Sequence, residues 1–230
     1  MAVPTARFRE QMQLLAEGAY RVLTEDDLHA FLDHGIEPPA NGVLITFDDG
    51  YANTITTALP ILEDLGLPAL MAVCGGYLTD DLPRRVPHLV QEMADVAQVQ
   101  AWIGSGRDIA AHGYTHQRLT GVSDLALRWQ TAGDREVLTD VLGRTLRTFA
   151  YPYGACDARV QRAVAELYPA ALSTDEHHRV DLHHPHNLPR IQIDPGWSLT
   201  AFQTALDSDA DPATAQRAAR CADTARSNPE

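Results

Sequence analysis

Cysteine, basic residues and long apolar runs are all in short supply in this sequence. The three cysteines, Cys74, Cys156 and Cys221, are odd in number and far apart. That spacing makes neither a disulfide framework nor a cysteine zinc site, so they read as ordinary reduced thiols. Lys and Arg together number 18 against 31 Asp and Glu, a formal charge of −13. Such a surface excludes nucleic acid and anionic membrane as partners by simple repulsion. No apolar stretch is long enough to span a bilayer, so no membrane span is expected. The start has no positively charged segment leading into an apolar one. As given, the chain is expected in the cytoplasm, with an extracellular place if the sequence lacks an N-terminal piece. There is no internal repeat.

The 230 residues, 45% hydrophobic, suffice for one sizeable α/β domain. Strand-like and helix-like segments alternate throughout, which argues for a parallel sheet or barrel. Helices are expected over Thr5 to Ala19, from the Thr24-Glu-Asp-Asp27 start to His34-Gly35, from Asn53 or Thr54 to Leu65, and over His88 to Val99. Further helices are expected over Ser123 to Leu142, from Asp157 to about Tyr168, and over Trp197 to Leu206. Pro60 should kink the third helix or mark its true start, and Gly133 is the weak point of the long one. Strands are expected at Val43 to Phe47, Ala69 to Cys74, Arg107 to Ala111, Leu146 to Ala150, Ala170 to Ser173 and Leu188 to Ile193. The domain is placed at 1–206, and the acidic, alanine-rich 207–230 is expected to be a disordered tail.

Three strand ends carry the chemistry. The first, Gly42 to Gly50, runs Gly-Val-Leu-Ile-Thr-Phe-Asp-Asp-Gly and finishes in two adjacent carboxylates, Asp48 and Asp49. Neighbouring strand residues point to opposite sides, so the pair can divide two tasks only where strand gives way to loop. The second leads into His112-Gly-Tyr-Thr-His116. Imidazoles at i and i+4 can converge, and two of them with one carboxylate make an open metal set. The third is Thr148 to Gly154, Thr-Phe-Ala-Tyr-Pro-Tyr-Gly. Singly, each has a bland reading as turn or cap.

Taken in order, Thr-Phe-Asp-Asp-Gly, His-x-x-x-His and Phe-Ala-Tyr-Pro-Tyr-Gly resemble the polysaccharide deacetylases with a NodB-type domain. These form a carbohydrate esterase family 4-like group, and the likeness leans to the branch acting on poly-N-acetylglucosamine. It covers about Phe8 to Ile193. The resemblance implies a distorted, incomplete (β/α) barrel, here without the usual first strand bearing a Tyr-His pair. It implies a metal-dependent hydrolase that removes an N-acetyl group from an amino sugar, whether polysaccharide, oligosaccharide or glycosylated metabolite. Asp49, His112 and His116 match the family's metal ligands and Asp48 its catalytic base. Tyr153 matches the residue whose backbone N–H stabilises the oxyanion. Zn2+ is the first choice of metal, with Co2+, Ni2+ or Fe2+ also suited to such a set. An exported polymer substrate would normally call for a signal or anchor.

Two departures stand out. Where many members have an Arg that holds the catalytic Asp, this chain has Ala150. Where many have a general-acid His after the last strand, it has Arg190 in Leu188-Pro189-Arg190. That leaves the acid unassigned; the stretch His177 to His186 offers five histidines for it, against a reading as a solvated loop, with His184 preferred because Pro185 restrains it. The other reading is a catalytically degenerate member that binds sugar or metal without turnover.

Overall fold

The computed structural model describes residues 3–79, 81–85, 91–174 and 180–207. Helix α1 (Thr5–Glu17) comes first, with Pro4 rather than Thr5 at its cap position. Strand β1 (Arg21–Val22) leads into α2 (Glu25–His34). Thr24 caps α2 in a capping box with Asp27. Each side chain there satisfies a backbone N–H that the first helical turn leaves over.

The apolar run after α2 is divided. Its lower part, β2 (Gly42–Val43), pairs in parallel with β1, and its upper part, β3 (Thr46–Phe47), pairs with β4 (Leu70–Val73). From β4 the sheet continues through β5 (Asp108–Ala111), β6 (Thr148–Ala150) and β7 (Ala170–Leu172), every pair parallel, in the order β3-β4-β5-β6-β7. Helices α3 (Leu59–Asp64), α4 (Val96–Gly104), α5 (Asp124–Arg128), α6 (Asp134–Leu142) and α7 (Ala158–Ala165) lie between the strands, and α8 (Leu199–Asp207) closes the described chain. This is the half-barrel of the expected type.

Strand alternation sorts the side chains by face. Met71, Val73, Ile109, Ala111 and Phe149 belong to the large outer core shared with the helices. Phe47 meets Phe8 of α1 and Trp102 of α4 edge-on, each at 5.8 Å. The inner face carries Leu70, Ala72, Ala110, Ala150 and Ala170, and Leu28 of α2 packs against it. At that end the Glu25 N–H donates to Asp108 at 3.1 Å, and the Glu25 carboxylate accepts from Thr148 at 2.6 Å and from Arg147 at 3.2 Å. Asp108 and Thr148 begin β5 and β6, so α2 covers the amino end of the half-barrel. The carboxyl ends are left for chemistry, as in other parallel α/β folds.

Several local expectations are revised. Pro60 sits in the first turn of α3, and a π turn over Thr54–Ala58 precedes it. The long helix breaks at Trp129–Gly133, also a π turn, where Gly133 marked the weak point. Helix α4 begins at Val96 with Asp95 as its cap, well after His88, which lies outside the described residues. Leu188 to Ile193 is not a strand; one parallel bridge, Leu172 to Leu188, is all it forms there. Pro189 lacks the N–H that a continuing ladder would use. The expected tail, apart from Asp207 in α8, lies outside the described residues.

Candidate metal centre

Asp48 and Asp49 part company at the end of β3. Asp48 follows Thr46 onto the inner face, where Arg190 reaches both. Asp49 takes the left-handed conformation, φ 72°, and turns its carboxylate to the histidines instead. Its Oδ1 lies 3.3 Å from His112 Nε2 and 3.0 Å from His116 Nε2. One ligand atom from each of Asp49, His112 and His116 can be chosen so that all lie within 4.8 Å of one another. Such a group could hold a metal ion.

The surroundings suit a cation. His112 Nδ1 donates to the Ala150 carbonyl at 2.7 Å, which fixes the tautomer and leaves Nε2 free to ligate. That Nε2 is buried and has no hydrogen-bond partner. A buried imidazole nitrogen left over in this way is what a metal ligand looks like before its ion is counted. Burial alone would raise the Asp49 carboxyl, but the facing imidazoles of His112 and His116 hold it far below the usual carboxylate range. Burial alone would lower the His112 imidazole, yet Asp48 and Asp49 raise it. The two shifts are the same attraction seen from its two sides, carboxylate and imidazole each holding the other in its charged form.

Among the described residues, the non-glycine residues with positive φ are Asp49, His116 and Tyr153, and all three lie here. Backbone of this kind costs on the order of 1–3 kcal/mol each and persists where the surroundings over-determine it. The Tyr153 ring, 59% exposed, lies 4.6 Å from the His116 ring, and the Arg118 guanidinium covers it at 5.0 Å. The next residue, Gly154, has φ 62° and backs onto Thr174 so closely that any Cβ would collide. Glycine is required there.

Arg190 donates to both Asp48 oxygens, at 2.7 and 2.8 Å, to the Ser173 carbonyl at 3.1 Å and to Thr46 Oγ1 at 3.2 Å. Burial would raise the Asp48 carboxyl, but the guanidinium and then His112 bring it below its ordinary value. The task of holding Asp48, absent at Ala150, is met from the other end of the chain. Sequence reasoning had treated Arg190 only as a missing histidine. It also missed Tyr51, which stands within electrostatic reach of Asp49, and Tyr77, within reach of Asp49 and Tyr153. Tyr51 comes directly after Asp-Asp-Gly, a signal that was available; Tyr77 gave none.

His184 is not brought to this group. The Pro185 carbonyl accepts from Ala171 N–H, and His186 Nε2 lies 2.9 Å from the Tyr168 carbonyl. That register places His184 level with the beginning of β7, whereas the centre lies past its end. The His184 side chain is 75% exposed and pairs with Asp181 at 2.8 Å. His177 and His178 lie outside the described residues.

Comparison with known proteins gives a consistent picture. A family model described as polysaccharide deacetylase matches residues 35–170. The protein YxkH of Bacillus subtilis (strain 168), assigned to the polysaccharide deacetylases, is 25% identical over 210 residues, covering 90% of this chain and 71% of its own length. The poly-beta-1,6-N-acetyl-D-glucosamine N-deacetylase of Escherichia coli (strain K12) is 29% identical over 102 residues, 44% of this chain but only 15% of that protein. The fold is that of the Streptococcus pyogenes deacetylase PplD in complex with acetate, with a TM-score of 0.78 at 21% identity, covering 90% of this chain and 88% of that one.

Proposed function

The chain belongs to the polysaccharide deacetylase family, and from that premise we propose that it is a metal-dependent hydrolase removing the N-acetyl group from an N-acetylated amino sugar. The observation that carries this reading is the convergence of Asp49, His112 and His116 from the ends of β3 and β5, with Asp48 held beside them by Arg190. Asp49, His112 and His116 would hold the ion, Zn2+ first. When bound, it supplies Lewis-acid polarisation of the amide carbonyl.

The rest falls to the chain's own residues. Asp48 accepts a proton from the attacking water as its oxygen bonds to the acetyl carbon. The Tyr153 N–H donates to the oxyanion that forms. Asp48, now protonated, returns the proton to the nitrogen as the C–N bond breaks, and the acetic acid so formed gives its proton to the freed amine, leaving acetate and an ammonium group. This route uses no group from the His184 side. The exposed Tyr153 ring offers a flat apolar face of the kind that suits a sugar ring. The Escherichia coli relative's named substrate supports an N-acetylglucosamine unit, in a polymer, an oligosaccharide or a glycosylated small molecule.

The test is acetate release from a panel of N-acetylated sugars by metal-stripped and Zn2+-loaded protein. Release is expected only from the loaded form. If the loaded protein binds its ion and releases nothing from any member of the panel, the chain is a sugar- or metal-binding protein without turnover.

A further inference from the structure

The helical stretch after the ligand loop is interrupted as it passes that loop. Ser123 caps α5, the π turn Trp129–Gly133 comes next, and α6 resumes at Asp134. A π turn inserts one residue and so swings the downstream helix face by about 100°. Insertions of this kind gather at functional sites. Here the turn brings two deeply buried polar side chains, Gln130 and Asp134, 4% and 0% exposed, against the chain from His112 to His116.

Each takes hold of backbone. Gln130 Oε1 accepts the Thr115 N–H at 3.0 Å, and its Nε2 donates to Thr115 Oγ1 at 2.8 Å. Asp134 Oδ1 accepts the Gly75 N–H at 2.8 Å. Gly76 N–H in turn donates to the Tyr114 carbonyl at 2.9 Å. Thr115 directly precedes His116, and the Tyr114 carbonyl lies two residues after His112, so both holds fall between the two imidazoles. A Cβ on residue 75 would stand 2.5 Å from Asp134 Oδ1, so the close approach depends on glycine.

Packing alone does not call for these residues. Asp134 Oδ2 is buried without a partner, which is a cost that an apolar side chain would not incur. We propose that Gln130 and Asp134 are positioning residues for the metal: set by the π turn, they fix the backbone of the His112–His116 loop and thereby the spacing of its two imidazoles. This rests on the metal reading under Proposed function.

The test uses the full chain with Gln130→Met, Asp134→Ala and Asp134→Asn. Zn2+ affinity is measured by chelator competition, and hydrogen exchange at the Gly76 and Thr115 amides is measured in the metal-free protein. Removing partners that orient ligands costs about 10–100-fold in metal affinity, and that loss is expected for Gln130→Met and Asp134→Ala. Asp134→Asn keeps the accepting oxygen and should stay close to wild type. Exchange should quicken at Thr115 in the first variant and at Gly76 in the second, while amides of β4 and β5 remain protected. A merely structural loss would quicken exchange everywhere. Should Asp134→Ala not fold, Gln130→Met against Asp134→Asn decides the matter. Wild-type affinity and undisturbed loop amides in Gln130→Met and Asp134→Ala would overturn the proposal, as would Asp134→Asn behaving like Asp134→Ala. A wild-type chain that binds no divalent ion overturns the metal reading itself and this role with it.

Discussion

Arg190 and Asp48, 142 residues apart in the chain, are joined by two parallel hydrogen bonds of 2.7 and 2.8 Å. The fork engages both carboxylate oxygens, so it sets the plane of the carboxylate as well as its position. Arg190→Ala should therefore keep its metal but lose about 10²-fold in kcat/KM, the scale of a misplaced catalytic group. The same contact sets the sign of the pH effect. The guanidinium lowers the Asp48 pKa, so its removal should move the acid limb of the rate profile to higher pH. Arg190→Lys keeps the charge without the fork and should fall between. An acid limb that stays put in Arg190→Ala would show that some other group sets it.

The neighbouring carboxylates should separate cleanly by mutation. Asp48→Asn is expected to retain the ion and lose about 10²–10⁴-fold in rate, as when a general base is removed. Asp49→Asn should instead release the ion, because Asp49 Oδ1 is the atom within 3.3 Å of both imidazole nitrogens. Metal analysis beside steady-state kinetics distinguishes them. The opposite pattern would exchange the two roles.

Asp134 predicts a pH dependence of stability. Burial pushes its carboxyl up to about 7 from an ordinary 3.8. Between those values the folded chain keeps a proton that the unfolded chain has released. Stability from this group is therefore complete below the lower value and is lost as pH rises toward the upper one. The steepest slope is about 1.4 kcal/mol per pH unit. Asp134→Asn cannot titrate, so relative to wild type it should gain stability from pH 5 to pH 8. Denaturant melts of the metal-free proteins at the two pH values give the comparison, and an equal difference at both would count against it.

Glu25 governs the other end of the molecule. Burial would raise its carboxyl, but His29, Thr148 and Arg147 outweigh that and lower it. Its contribution is present above the unfolded value and is lost as pH falls through the folded one. Glu25→Ala removes the buried acceptor of Thr148 and leaves Arg147 with Asp26 alone, and should cost about 1–3 kcal/mol. Metal affinity should not change, since the network lies beyond the amino ends of β5 and β6. A Glu25→Ala chain of normal stability, or one that cannot bind metal, would contradict this placement.

What could be read beforehand was what is local. Asp48, Asp49, His112 and His116 lie in short motifs at strand ends, and a parallel sheet brings strand ends together whatever the details between them. Pro60 and Gly133 marked two irregular places, although neither announced a π turn, because the extra residue is visible only against the neighbours it must meet. Arg190 was legible as a residue but not as a partner. Its hydrogen bonds run to Thr46 and Asp48, and no spacing rule reaches across a sheet. His184 was chosen for nearness in sequence to the last segment, but register decides which end of a strand a residue meets, and the Pro185 to Ala171 bond places it at the wrong one.

The side-chain contacts of Arg190 also have a mechanical consequence. Among the described residues, β3 ends the sheet on one side and the Leu172–Leu188 bridge ends it on the other. A ladder of parallel strands divides an applied load among many backbone bonds, whereas this seam is crossed by side chains: the guanidinium that touches Thr46, Asp48 and Ser173, and on the outer side Arg7 on the Gly196 and Trp197 carbonyls and Tyr20 on Asp207. Any widening of the half-barrel along this seam would therefore pull on the contact that aligns Asp48 before it reached a backbone ladder at the centre of the sheet.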